Sequence, residues 1–397
     1  MNDHLKGAWN FPTRVVTGVG RIAELADLAR ANGIEAPLVV TDRGLLALPM
    51  IARIMKLLSD ARLKASLFGD VKSNPTEANL LAGVEAYKQG RHDGVIAVGG
   101  GSALDIGKCV AFMAGQTRPV WDFEDVGDWW TRANAEAIAP VIAVPTTAGT
   151  GSEVGRAGVI TNEATHGKKI IFHPAMMPKV AIEDPELTVG LPPFLTMATG
   201  MDALAHCFEA YCVDAFHPLA DGVALEGLRI IKDYLPRAVA KGDDLEARAY
   251  MLAAASMGAT AFQKGLGAIH SISHPVGARY DTHHGLTNAV VFPYVMICNK
   301  PAIEAKMDHV ARVLNLPGQN LPGQGFAAVL AWVLEFRKAL AVPSSLAELG
   351  VREEDAKAIA ADALADPTAG SNPRALTQSE FERLTLAAIR GDLGAWS

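Results

Sequence analysis

The sequence predicts an α/β domain built on a mostly parallel sheet over residues 1–192, followed by an all-α domain over residues 193–397. In the first half short β-rich runs alternate with helical segments, the order that produces a parallel sheet with helices on its faces. The texture changes at Pro192 and Pro193, after which the chain is Ala-rich and helical with few strand signals. Side chains of the metal-binding kind, Asp202, His206, His270 and His284, all fall in this second half.

Taken in order, the first half reads PLVVT (37–41) then LLALPMIARIMKLLSD, ASLF (65–68) then PTEANLLAGVEAYKQG, GVIAV (94–98) then SALDIGKCVAFMAG, and VIAV (141–144). Ligands of such sheets bind beyond the carboxyl ends of the strands. In GVIAVGGGSALDIGK, Gly99, Gly100, Gly101 and Ser102 let the backbone approach a pyrophosphate closely at a helix N-terminus. The spacing departs from the G-x-G-x-x-G fingerprint. In VIAVPTTAGTGSE, Thr146, Thr147, Thr150 and Ser152 present hydroxyls at a second turn on the same sheet edge. Two such turns together predict a cofactor cleft. The apolar VVTG segment at 15–18 reads as an edge strand able to pair between subunits.

Composition excludes several classes. With 397 residues, half of them hydrophobic, the chain can bury a large core and is no small stapled module. A net charge of -7 and the lack of a basic stripe argue against nucleic acid as a partner. The start, MNDHLKGAWNFP, does not have the pattern of a targeting segment, and no apolar run reaches the roughly 18 residues that span a bilayer. A cytoplasmic location without membrane attachment is the expectation. Four cysteines in so long a chain predict thiols rather than a disulfide framework, and Cys207 reads as packing.

The metal reading starts from spacing. Met201, Leu204, Ala205 and Phe208 in GMDALAHCFEA follow the period of an amphipathic helix, which places Asp202 and His206 on one neighbouring face. A carboxylate and an imidazole four apart can grip one divalent ion. His270 is read as ending the helical run that starts at LEARAYMLAAASMGATAF, and His284 as lying in a polar turn, DTHHG; these two are the best further ligands. A carboxylate with imidazoles suits iron(II) or zinc. The alternative, a hydrogen-bonded pair or solvated face, stays open on spacing alone.

GGGSALDIGK, PTTAGTGSE, GMDALAHCFEA and GLGAIHSISHPVGARYDTHHG, in this order, resemble the iron-containing (group III) alcohol dehydrogenase family over nearly the whole chain. The resemblance implies a dehydroquinate synthase-like fold: an α/β nucleotide-binding domain followed by an all-α metal-binding and catalytic domain. It implies that Asp202, His206, His270 and His284 hold Fe²⁺, or Zn²⁺ or another divalent ion. Gly99 to Ser102 match the turn under the dinucleotide pyrophosphate, Thr146, Thr147 and Thr150 its second wall, and Asn74 and Lys168 further cofactor-lining positions. Asp42 matches the residue beside the adenosine ribose, where a carboxylate accepts from a free 2′-hydroxyl and repels a 2′-phosphate, favouring NAD. Its competing reading is a cap or turn former. His274 matches a histidine near the reacting centre, for proton relay or alcohol positioning, against a core histidine; His283 is left as a turn residue.

The implied activity is metal-dependent, NAD(H)-linked interconversion of a primary alcohol, small diol or hydroxyacid with its aldehyde, in a homodimer or higher homo-oligomer. Lys264, in AFQKGLGA, would favour a hydroxyacid if it reached the pocket; the competing reading is a solvated lysine. Alternatives are a 4-hydroxybutyrate-type hydroxyacid dehydrogenase, an NAD-using carbocycle-forming lyase of the dehydroquinate synthase type, and a non-catalytic scaffold. The lyase should need a cluster of Lys and Arg that is not seen near the metal motifs.

Overall fold

The computed structural model describes residues 10, 13–164, 167–317 and 323–396. The N-terminal segment MNDHLKGAW, considered above for targeting, lies outside them. The chain groups into two compact units, one running to Leu191 and taking in Gly242–Ser256, the other comprising Pro192–Lys241 and the chain from Met257 onward.

The first unit carries β1 (Arg14–Thr17), α1 (Leu25–Ala31), β2 (Pro37–Val40), α2 (Pro49–Asp60), β3 (Ser66–Phe68), α3 (Glu77–Gln89), β4 (Gly94–Gly99), α4 (Gly101–Met113), β5 (Val141–Pro145), β6 (Ala157–Asn162), β7 (Gly167–Phe172) and β8 (Val180–Glu183). Six strands form a parallel sheet in the order β1-β8-β5-β4-β2-β3, and β6 pairs with β7 as a separate antiparallel ribbon. The central strands are buried on both faces. Side chains alternate between two cores: Leu38, Val95, Ala97, Val141 and Ala143 on one side, Val39, Ile96, Val98, Ile142 and Val144 on the other. That is why these strands read as unbroken apolar runs rather than alternating ones. The helical run expected from Leu45 begins only at Pro49, whose missing N–H suits the first helical turn. The ribbon and β8 were not anticipated in the sequence.

In the order β1-β8-β5-β4-β2-β3 the chain leaves β2 towards β3 and returns to lay β4 on the other side of β2. The switch point of the sheet therefore lies between β2 and β4, where crevices open at the strand ends.

The second half carries α5 (Pro193–Cys212), α6 (Pro218–Ala240), α7 (Leu245–Ala261), α8 (Ala268–Tyr280), α9 (His284–Val313), α10 (Gly325–Ala339), α11 (Ala356–Ala365) and α12 (Gln378–Arg390), and among its described residues no strand. α5 starts at Pro193, with proline in its first turn. It is buried nearly all round from Thr196 to Cys212, so the stripe Met201, Leu204, Ala205, Phe208 marks a central helix rather than a one-sided surface one.

Two helix boundaries correct the sequence reading. The Ala-rich run ends at Ala261, and after a break at Gly265–Gly267 His270 lies in the first turn of α8. His284 is not in a turn but is the first residue of α9, and His283 is its N-cap, with Nδ1 accepting from the Leu286 N–H at 3.4 Å. The imidazole acceptor at the cap and the break at Asp281 (φ 53°) set this helix start.

Candidate metal centre and cofactor edge

One turn of α5 brings Asp202 and His206 together: Nε2 of His206 stands 3.9 Å from Oδ1 of Asp202. α8 adds His270, with Nε2 at 3.8 Å from the same oxygen, and α9 adds His284 at 3.6 Å. Ligand atoms of Asp202, His206 and His270 all lie within 4.8 Å of one another, and the three residues are buried. His284 joins this cluster through Asp202 and is the most exposed of the four, its side chain about a quarter accessible. Gly285 explains the close approach of α9 to α5, because a methyl there would overlap the Ala198 carbonyl and lie 2.9 Å from Cβ of Asp202.

Neighbouring groups aim the ligands. His270 Nδ1–H donates to Oε2 of Glu209 at 2.7 Å, while Oε1 of Glu209 accepts the Ile269 N–H at 2.7 Å. A carboxylate on Nδ1 leaves the Nε2 lone pair facing Asp202, the arrangement that metal-binding imidazoles need. Burial pushes Glu209 up to about 7, against the hydrogen bonds it accepts from the start of α8. Burial also holds His270 well below its ordinary value, in its neutral form. Asn288, one turn into α9, donates Nδ2–H to Asp202 at 2.7 Å and sits 3.2 Å from Nε2 of both His270 and His284. Its Oδ1 is buried without a hydrogen-bond partner, as is Nδ1 of His206. One carboxylate and three imidazoles with lone pairs converging, amid buried polar atoms left unsatisfied, fit a divalent cation of the iron or zinc type.

Glu209 and Asn288 were missed in the sequence reading. Glu209 was within reach, since it lies seven residues after Asp202 and three after His206, on the same helical face.

His274 lies beside the cluster, its ring stacked on His284 at 5.3 Å and edge-on to His270 at 5.9 Å. Its Nδ1 meets Asp366 Oδ2 at 2.8 Å. Lys264 corrects both sequence readings: its side chain is 1% exposed, with Nζ 2.5 Å from Asp221 and 3.3 Å from the Tyr211 carbonyl. It is neither solvated nor available to a substrate.

In the first unit, three adjacent strands deliver their carboxyl-end residues together. Asp42 follows β2, Gly99 to Ser102 span the end of β4 and the start of α4, and Thr146, Thr147 and Thr150 follow β5. Gly99 (φ 146°) has a conformation closed to other residues, and a methyl on Gly101 would come within 2.6 Å of Thr150 Cγ2, so the two turns touch. Thr146 N–H donates to Gly99 O at 3.0 Å, and Ser102 Oγ donates to Ser73 O, in the turn next to Asn74. Thr161 N–H reaches Pro75 O at 2.8 Å, and Thr161 pairs with Lys168 across the β6–β7 ribbon, bringing that lysine to the same edge.

Asp42 Oδ1 accepts from the N–H groups of Gly44 (2.9 Å) and Leu45 (3.2 Å), so one oxygen serves as a turn former. Burial raises its pKa, partly opposed by these bonds. Below the turns, the buried Lys108 donates to Ser152 O at 3.0 Å and to Ala157 O, beside Asp105 at 3.1 Å. Asp105 in turn accepts from Ser152 Oγ and the Val159 N–H. The LDIGK segment after the glycines thus anchors the second turn.

A switch-point edge with two glycine- and threonine-rich turns in the first unit, and a buried Asp-His cluster in the second, fit an enzyme that uses a nucleotide and a divalent metal. Comparison with known proteins makes the class specific. The sequence model of the iron-containing alcohol dehydrogenase matches residues 12–185, and that of the Fe-containing alcohol dehydrogenase family C-terminal region matches residues 196–389. The chain is 37% identical to the 4-hydroxybutyrate dehydrogenase of Cupriavidus necator over 384 residues, covering 94% of this chain and 97% of the relative. It is 35% identical to the NAD-dependent methanol dehydrogenase of Bacillus methanolicus, covering 96% and 99%. A crystal structure of 1,3-propanediol oxidoreductase superposes with a TM-score of 0.92 at 32% identity, covering 96% of this chain and all of that one. The chain belongs to the iron-containing alcohol dehydrogenase family. It is an oxidoreductase acting on CH–OH groups, and its family uses NAD and iron.

Proposed function

We propose that this enzyme interconverts a small primary alcohol, diol or hydroxyacid with its aldehyde, holding the metal with Asp202, His206, His270 and His284. The convergence of the Asp202, His206 and His270 ligand atoms within 4.8 Å carries this reading. Residues 1–192 are assigned dinucleotide binding, through Asp42, Asn74, Gly99, Gly100, Gly101, Ser102, Thr146, Thr147, Thr150 and Lys168, and residues 193–397 metal binding and catalysis. The remaining carboxylate oxygen of Asp42 supports NAD over NADP, since a 2′-phosphate would meet a negative charge. A homodimer or higher homo-oligomer in the cytoplasm is the expected state. The open edge at β1, with Val15 36% exposed, supports the former, and four cysteines standing as buried thiols support the latter.

When bound, the divalent ion supplies Lewis acidity at the alcohol oxygen and NAD accepts the hydride. The chain's own residues do the rest. Glu209 fixes the His270 tautomer, Asn288 holds Asp202, and burial keeps the His270 imidazole neutral so that its lone pair is available. The His274 side chain, 17% exposed against 2% for His270, supports giving His274 the exchange of a proton with the alcohol.

The names of the relatives span methanol, 1,3-propanediol and 4-hydroxybutyrate, so a substrate panel is the test. Protein stripped of metal and reloaded anaerobically with Fe²⁺ or Zn²⁺ is assayed with primary alcohols, diols and hydroxyacids, using NAD and separately NADP. Metal-requiring reduction of NAD supports the reading. Silence across the panel with metal bound would redirect it to the lyase chemistry.

A further inference from the structure

We propose that Asp366 is a positioning residue that fixes the tautomer and orientation of His274, making Nε2 of that ring the atom that exchanges the alcohol proton. The inference rests on His274 as the proton-transfer group proposed above, and adds what makes it competent.

The geometry is that of an oriented base. Asp366 follows the end of α11, 92 residues from His274 in sequence, and its Oδ2 lies 2.8 Å from His274 Nδ1. Its other oxygen is fully engaged: Oδ1 accepts from the Thr368 N–H at 2.9 Å and from Thr368 Oγ1 at 2.6 Å. Thr368 Oγ1 is braced in turn by Ser271 Oγ at 2.8 Å, on the same helix as His274. Burial alone would raise the Asp366 pKa, but His274 and the Thr368 bonds outweigh it and hold the carboxyl below its ordinary value. With both Thr368 donors on Oδ1, Oδ2 faces Nδ1 as an acceptor, so Nδ1 carries the ring proton and Nε2 is the nitrogen left to take the alcohol proton. The stack on His284 places that ring against the metal cluster, where the alcohol oxygen would bind.

In the oxidation the alcohol O–H bond breaks and its proton goes to the Nε2 lone pair. The O–H electron pair would become the second C–O bond of the aldehyde, and the C–H pair would leave as hydride, for which NAD, when bound, supplies the acceptor. The imidazolium so formed faces Asp366 and later passes its proton to solvent. Reduction runs the same steps backwards.

The Thr368 donors make one substitution diagnostic. In Asp366→Asn the amide oxygen is held by Thr368, which turns the NH₂ towards Nδ1 and forces the proton onto Nε2, the wrong tautomer. Asp366→Asn, Asp366→Ala, His274→Ala and the double variant His274→Ala/Asp366→Asn are compared as metal-loaded enzymes, with metal content and thermal midpoint measured alongside. The expected result is a fall in kcat of roughly 10–100-fold in both Asp366 variants, with Asn no better than Ala, KM nearly unchanged and metal retained. In the His274→Ala background the Asp366 change should have little further effect. A full Asp366→Asn effect persisting in that background, or wild-type kcat in Asp366→Asn, overturns this inference alone. Wild-type kcat in His274→Ala overturns it together with the role of His274.

Discussion

Glu209 Oε2 accepts a hydrogen bond from Nδ1 of His270 at 2.7 Å, and both side chains are buried. This contact decides which nitrogen of His270 is left to bind a metal. Because Glu209 Oε1 is held by the Ile269 N–H, a Gln in its place should turn its NH₂ towards Nδ1 and put the ring proton on Nε2. Glu209→Gln is expected to weaken metal affinity roughly 10–100-fold, measured by competition with a chelator. Unaltered affinity would mean that Glu209 serves only to cap α8.

Gly285 is the point where α9 passes α5. Gly285→Ala drives a methyl into the Ala198 carbonyl, a backbone atom that cannot swing aside. A loss of about 1–3 kcal/mol in unfolding free energy is expected, with weaker metal retention because His284 and Asp202 are moved apart. Equilibrium denaturation and metal analysis check both parts; a variant as stable as the wild type contradicts the close packing.

The sheet unit contains a buried acid pair. Glu153 and Glu183 both bond Ser256 Oγ, the former at 3.1 Å, near Lys108. Burial, then the charge of Glu183, pushes Glu153 up to about 8 from an ordinary 4.5. A hydroxyl has one proton to donate, so one carboxyl of the pair is protonated. The folded state therefore binds more protons than the unfolded one between these two values, and stability falls as pH rises through that window. Glu183→Gln removes the like charge and should flatten the fall, read from urea midpoints between about pH 5 and 9. An unchanged slope would place the pH dependence elsewhere.

Lys264 is structural by its contacts. Lys264→Ala strips Asp221 and the Tyr211 carbonyl of a buried cation and should cost about 1–3 kcal/mol. The ratio of kcat/KM for hydroxyacids to that for plain alcohols should not move. A selective loss with hydroxyacids would restore Lys264 to the substrate pocket.

Much of this architecture was legible because buried parallel strands and a central helix leave strong local signals. Asp202 and His206 were readable from the helical period, and the Gly99 and Thr146 turns from their place after apolar strands. The start of α9 was not, because Pro293 and Pro301 lie inside it and mask a helix that packing maintains. The β6–β7 ribbon was hidden by GKKIIF, which carries two lysines and only half-buried positions along most of its length. Asp366 carries no local mark at all: its meaning depends on a contact with His274 across 92 residues. Lys264 misled because a lysine beside glycines suggests a loop, while its partner Asp221 lies on α6.

Metal-dependent hydride transfer from an alcohol is tested most directly by an anaerobic titration of Fe²⁺ into stripped protein, following reduced nicotinamide with a responsive alcohol from the panel. NAD reduction should rise with added metal and level off at about one ion per chain, with the Asp202→Ala and His206→Ala variants failing to respond. Full turnover by the stripped protein, or an undiminished response in both variants, would contradict it.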